Sequence, residues 1–160
     1  MAAMASTRST RRDPLSIDER SALMSRIRSR DTGPEQVVAM LLASLRYRFV
    51  RHDANLPGTP DFVLSRHRVA ILVHGCFWHA HRCRRGRSVP CARRTFWLDK
   101  KMRNMRRDAR VRLALRRCGY RIVVVWECML RKPQVIRSRI RAAVAASMNR
   151  RKVPAEHSSH

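Results

Sequence analysis

Val69-Ala70-Ile71-Leu72-Val73-His74-Gly75-Cys76-Phe77-Trp78-His79-Ala80-His81-Arg82-Cys83 sets an unbroken apolar run directly against a loop crowded with imidazoles and thiols. The run Val69–Val73 is the pattern of a strand buried on both faces, because no position is left polar to meet water. Ile122-Val123-Val124-Val125, inside a segment from Arg121 to Trp126, repeats that pattern and reads as another central strand. If the two strands lie parallel, both ends emerge on the same side of the sheet.

Working outward, Asp61 to Leu64 and Tyr47 to His52 read as further strands, separated by the turn residues Asn55-Leu56-Pro57-Gly58-Thr59-Pro60. Thr32-Gly33-Pro34-Glu35 starts a helix whose Val37, Val38, Leu41, Leu42 and Leu45 form a buried stripe. Ser16-Ile17-Asp18-Glu19 opens an earlier helix through about Arg28. Thr95 is a candidate cap for a long basic helix to about Arg117, with Gly119 as its stop, and Pro133 to Met148 is a final helix. The order implies one α/β domain with a mixed sheet, over residues 15–148. Residues 1–14 are expected to be a disordered basic lead-in and 149–160 a disordered polar tail.

The 36 Lys+Arg against 11 Asp+Glu give a formal charge of +25, and a surface so positive is best neutralised by a polyanion. Nucleic acid is the leading partner class and an anionic membrane the second. Arg enrichment alongside Ala and Val is also what GC-rich codon usage produces, which says nothing of partners. No run approaches the roughly 18 apolar residues of a membrane span, and the start of the chain lacks a signal-peptide pattern. Five Cys, an odd count, argue against a disulfide framework and for a reducing, cytoplasmic setting, where thiols beside His are metal ligands.

Cys76, His81 and Cys83 offer three ligands to a tetrahedral zinc, and Cys128, just past the Arg121–Trp126 strand, is the candidate fourth. The plainer reading is free thiols and solvated His. Cys118, at a helix end, reads as a buried thiol. Asp61 at a strand start can hold Mg²⁺, or simply close an Asx turn. His74 and His79 are spare imidazoles suited to taking a proton from an attacking water. Glu35 either supports such a base or serves only its capping box; Asp108 either orients a His or pairs with neighbouring Arg. Phe77-Trp78 reads as an exposed wedge between base pairs, or as packing over the metal site. Met24 is a second wedge candidate or ordinary core, while Trp97 and Trp126 read as core.

These motifs together resemble the very short patch repair (Vsr) endonuclease family over about Met24 to Arg131. The carrying stretches are Arg30-Asp31-Thr32 with Glu35, Leu56-Pro57-Gly58-Thr59-Pro60-Asp61-Phe62, Val73-His74-Gly75-Cys76-Phe77-Trp78-His79, Thr95-Phe96-Trp97 and Val125-Trp126-Glu127-Cys128. The resemblance implies a restriction-endonuclease-like PD-(D/E)xK core with a structural zinc site. It also implies Mg²⁺-dependent nicking of double-stranded DNA 5′ to the thymine of a T:G mismatch, the product of 5-methylcytosine deamination. Asp61 would bind Mg²⁺ with the Val73 carbonyl, and His79 would be the general base, assisted by His74, Glu35 and Asp108. Cys76, His81, Cys83 and Cys128 would hold zinc; Phe77, Trp78 and Met24 would intercalate. Val73 stands where some relatives have threonine, the Arg84–Arg94 loop is unusually Arg-rich, and the restriction-type Glu-x-Lys pair is absent. A nick on one strand needs no dimer, so a monomer suffices; mismatch-repair proteins are a further partner class. Two rivals remain: a restriction-type endonuclease cutting both strands, and a zinc-stabilised DNA-binding module without turnover.

Overall fold

The computed structural model describes residues 30–91 and 93–152; the helix expected from Ser16 and the wedge candidate Met24 lie outside them. Helix α1 (Gly33–Ser44) is followed by strands β1 (Val50–Arg51), β2 (Phe62–Leu64) and β3 (Val69–His74). Then come a short helix α2 (Arg84–Arg87), the long helix α3 (Arg94–Arg117), strand β4 (Arg121–Trp126) and helix α4 (Pro133–Lys152). One-turn 3-10 segments, Ser65–His67 and Glu127–Arg131, follow β2 and β4.

The sheet runs β1-β2-β3-β4, antiparallel except for the parallel β3–β4 pair, and so is mixed as expected. Side chains alternate across it, as the two-residue strand period requires. Val69, Ile71, Val123 and Val125 join Val38, Leu42, Ile136 and Ile140 of α1 and α4 on one face. Ala70 and Leu72 meet Leu115 of α3 on the other, with Ile122, Val124 and Val111 packed around them. Each large side chain fully withdrawn from water contributes roughly 1.5–3 kcal/mol.

Several expectations are corrected. The Tyr47–His52 strand shortens to Val50–Arg51, because the C-terminal turn of α1 absorbs the residues before it: Arg46 is left-handed (φ 58) and Tyr47 N–H returns to the Leu42 carbonyl. β4 is an edge strand of the described sheet, not a central one, although α3 and α4 cover its two faces. Arg139 donates to the Val124 carbonyl, engaging one acceptor of that strand (3.4 Å). Arg93, left-handed at φ 54, precedes α3 in place of Thr95, which lies inside the helix. Cys118 is exposed rather than buried, because it is the C-cap of α3 and sits in its terminal turn. The final helix runs to Lys152, past Met148. No helix among the described residues is long and apolar enough to cross a membrane.

Gly119 ends α3 as the sequence suggests: it is left-handed (φ 80), its N–H bonds the Arg116 carbonyl and that of Tyr120 bonds Leu115. Gly58 is also left-handed (φ 74), but a Cβ there would overlap the branched side chain of Val111, whereas one at Gly119 meets open space. Gly119→Ala is therefore expected to cost about 1 kcal/mol of stability, the backbone penalty alone. Gly58→Ala adds about 1–3 kcal/mol of overpacking, and Val111→Ala in the same chain should recover part of that addition. Denaturant unfolding of the three variants checks the difference.

Candidate active site

The parallel ladder pairs His74 at the end of β3 with Trp126 at the end of β4, so the two residues that follow each strand lead to Cys76 and Cys128 side by side. Cys128 N–H points to Cys76 Sγ at 3.4 Å. His81 Nδ1 lies 3.7 Å from Cys76 Sγ and 3.5 Å from Cys128 Sγ, and Cys83 completes a group whose ligand atoms lie within 4.8 Å of one another. A tetrahedron with metal–sulfur bonds of about 2.3 Å and metal–nitrogen bonds of about 2.0 Å has sulfur–nitrogen edges near 3.5 Å, so this donor set fits zinc. Burial pushes the Cys76 thiol up to about 12, while hydrogen bonding with His81 draws Cys83 down to about 6. Trp126 stacks on His81 (4.4 Å between ring centroids), and Glu127 accepts the Cys76 N–H (3.3 Å) while pairing with Arg85 (2.5 Å).

Beside this cluster opens a cleft of about 750 Å³ that gathers Glu35, Asp61, Val73, His74, His79 and Asp108. Asp61 is anchored by the Val73 N–H (2.7 Å to Oδ2), which ties the start of β2 to the end of β3. Burial pushes the Asp61 carboxyl up to about 6; the Val73 hydrogen bond opposes that rise and the nearby Glu35 carboxylate adds to it. A cation placed there would lift the penalty, since it favours the ionised form. Glu35, itself buried, serves its capping box in a modified form: it accepts the Asp31 N–H (2.9 Å) and the Thr32 hydroxyl (2.7 Å). Its capping task and its place in the cleft hold at once.

His74 and His79 stack face to face, with ring centroids 4.0 Å apart. Asp108 reaches His79 Nδ1 at 2.5 Å and His74 Nδ1 at only 3.9 Å. Of its two candidate roles, Asp108 therefore takes the His partner. The bond fixes the proton of a neutral His79 on Nδ1 and leaves Nε2 as its basic nitrogen. Burial raises the Asp108 carboxyl, but His79 outweighs it and the net displacement is downward. Burial and the adjacent His79 push His74 down to about 4, against the pull of Asp108, and its Nδ1 is buried without a hydrogen bond.

Phe77 and Trp78 are half-buried rather than exposed, and they pack on Trp97 (5.5 and 6.1 Å between centroids). Trp97 is buried, as expected, while Trp126 is only partly so. Four neighbours had no role in the sequence reading. Lys101 is buried with its ammonium over the Phe77 ring (4.4 Å) and bonded to the carbonyls of Gly86 and Ser88 (2.8 and 2.7 Å). Asn104 holds the Trp78 carbonyl (2.9 Å), Glu127 braces the thiol loop, and His52 enters the cleft beside Glu35. A Lys and an Asn on a basic helix carry no signal in sequence; Glu127, next to a ligand candidate, did.

The family model for DNA mismatch endonuclease Vsr matches residues 12–85. A type II nicking enzyme of Xanthomonas oryzae, V.XorIIP, is 44% identical over 129 residues, covering 81% of this chain and 94% of that protein. A second, V.NmeAIP of Neisseria meningitidis, is 35% identical over 132 residues, with 82% and 94% covered. The DNA mismatch endonuclease Vsr of Escherichia coli is 46% identical over 112 residues, with 70% of this chain and 71% of that protein covered. With a mixed α/β domain and a cleft of buried acids and imidazoles, this chain belongs to the Vsr family of DNA mismatch endonucleases.

Proposed function

We propose that this endonuclease nicks one strand of duplex DNA on the 5′ side of the thymine in a T:G mismatch, using a Mg²⁺ ion at Asp61 and a zinc ion as a structural staple. The observation that carries the reading is the hydrogen bond between His79 and Asp108 in the same cleft as Asp61. A carboxylate that orients an imidazole beside a cation-binding carboxylate is what hydrolysis of a phosphodiester by water requires. The ion would supply a polarised phosphate oxygen and charge for the transition state. Asp61 would hold it together with the Val73 carbonyl, in the manner of a PD-(D/E)xK core whose lysine is replaced by His chemistry.

The chain's own groups do the rest. His79 takes the proton of the attacking water on Nε2, and Asp108 stabilises the imidazolium that results. His74, stacked on His79, limits how that ring can turn. Glu35 adds negative charge beside Asp61, which strengthens the hold on a cation. Arg30, Lys100 and Arg107 line the cleft and meet the DNA backbone. Phe77 and Trp78, supported by Trp97, Lys101 and Asn104, form a wedge that enters the stack at a mispaired step, where opening costs least; Met24 would be a second wedge. Cys76, His81, Cys83 and Cys128 tie the wedge loop to β4, so the loop needs no apolar core of its own. A single domain from about residue 15 to the end of α4 at Lys152, acting as a monomer in the cytoplasm, completes the proposal.

Asp61→Asn is expected to abolish Mg²⁺-dependent nicking of a T:G duplex while leaving gel-shift binding intact; unchanged cleavage would refute the cation site. Asp108→Asn should slow nicking by about 10²–10⁴-fold, since the wrong His79 tautomer is then favoured. Metal analysis should find one zinc atom per chain, and Cys128→Ser should lose it together with several degrees of melting temperature. A matched duplex series, cut as fast as T:G on both strands, would favour the restriction-type alternative instead.

A further inference from the structure

His52 has no part in the chemistry above, yet the fold spends a strained backbone to put it in the cleft. It is left-handed at φ 49, a conformation that costs a non-glycine residue about 1 kcal/mol or more. Its N–H bonds the Asp61 carbonyl (3.2 Å), which extends the β1–β2 ladder by one step and sets the imidazole opposite Asp61. The ring is 14% exposed at the side chain, and its Nε2 is buried without a hydrogen-bond partner. That nitrogen lies 3.4 Å from Glu35 Oε2 and 3.6 Å from Asp31 Oδ1. Asp31 is also left-handed (φ 54) and is held by Arg51 at 2.5 Å. Two strained residues thus face one another across a buried glutamate.

Glu35 has a reason to need such a brace. Its carboxylate stands close enough to Asp61 to raise the Asp61 pKa, while the charge of His52 acts on Asp61 in the opposite sense. Two carboxylates that repel each other swing apart unless something fixes them. The Asp31 N–H and the Thr32 hydroxyl hold the two Glu35 oxygens from the helix side, and His52 Nε2 stands 3.4 Å from Oε2 on the sheet side, where a protonated ring would pair with it. We propose that His52 is a positioning residue for the hydrolysis: it fixes the Glu35 carboxylate beside Asp61, so that the cation meets a preorganised pair. The inference rests on the assignment of Asp61 as the cation-binding carboxylate.

The test compares His52→Ala and His52→Gln with the parent protein, by calorimetric Mn²⁺ binding without DNA and by single-turnover nicking of a T:G duplex across Mg²⁺ concentrations. Loss of an outer partner of a metal carboxylate typically reduces metal affinity or activity by about 10–100-fold. His52→Ala should weaken Mn²⁺ binding and raise the half-maximal Mg²⁺ concentration on that scale, with duplex affinity kept within about twofold. His52→Gln, whose amide nitrogen can stand where Nε2 stands, should regain most of both. Parent-like behaviour of His52→Ala overturns the proposal, and so does an equal loss in both variants, which is what a role confined to folding would give. Asp61→Asn runs alongside. If it retains the parent's Mn²⁺ affinity, the cation site itself is misassigned; if it loses that affinity while His52→Ala does not, only the role of His52 is overturned.

Discussion

Hydrogen bonds between β3 and β4 run in parallel from Val69 opposite Arg121 to His74 opposite Trp126, and the far end of that ladder delivers Val73, His74, His79 and Glu127 to the cleft. Because the pairing is in step, the two strands leave the sheet together, and two residues later each presents a thiol. A slip of one residue would turn every side chain of β4 to the other face, exchanging Val123 and Val125 for Ile122 and Val124 in the α1–α4 core. It would also part Cys76 from Cys128. The apolar packing that fixes register therefore also fixes the spacing of the two thiols.

The same end of the sheet concentrates negative charge in a protein with 36 Lys+Arg. Glu35, Asp61, Asp108 and Glu127 all line the cleft, whereas Asp31, Asp53 and Asp99 are the only other acids among the described residues. Each cleft acid has a partner that limits its freedom: Thr32 for Glu35, Val73 for Asp61, His79 for Asp108 and Arg85 for Glu127. The arrangement separates two tasks. Surface arginines attract the polyanion at long range, and the cleft acids would offer a small cation a site that the surrounding charge otherwise repels.

Much of this is legible in the sequence. The apolar runs at Val69–Val73 and Ile122–Val125 mark two neighbouring strands, and their parallel pairing is what brings Cys128 to Cys76. Asp108 was harder, since on a basic helix a carboxylate looks like an ordinary ion-pair partner, and only its bond to His79 shows otherwise. His52 was hidden for a different reason. Its importance depends on the register of a two-residue strand and on a left-handed backbone, neither of which periodicity reveals. Lys101 was hidden because a lysine on a solvated helix is expected to reach water, while here the α2 loop folds over it. Phe77 and Trp78 were overestimated as exposed, because the sequence did not show that Trp97 would rise beneath them.

Anomalous diffraction from a crystal grown with Mn²⁺, recorded at the zinc and manganese edges, tests the shared end of the ladder most directly. The account predicts one zinc peak enclosed by Cys76, His81, Cys83 and Cys128, and a separate manganese peak roughly 2.0–2.2 Å from the Asp61 carboxylate. A thiol cluster without a zinc peak, or manganese bound away from Asp61, would contradict it.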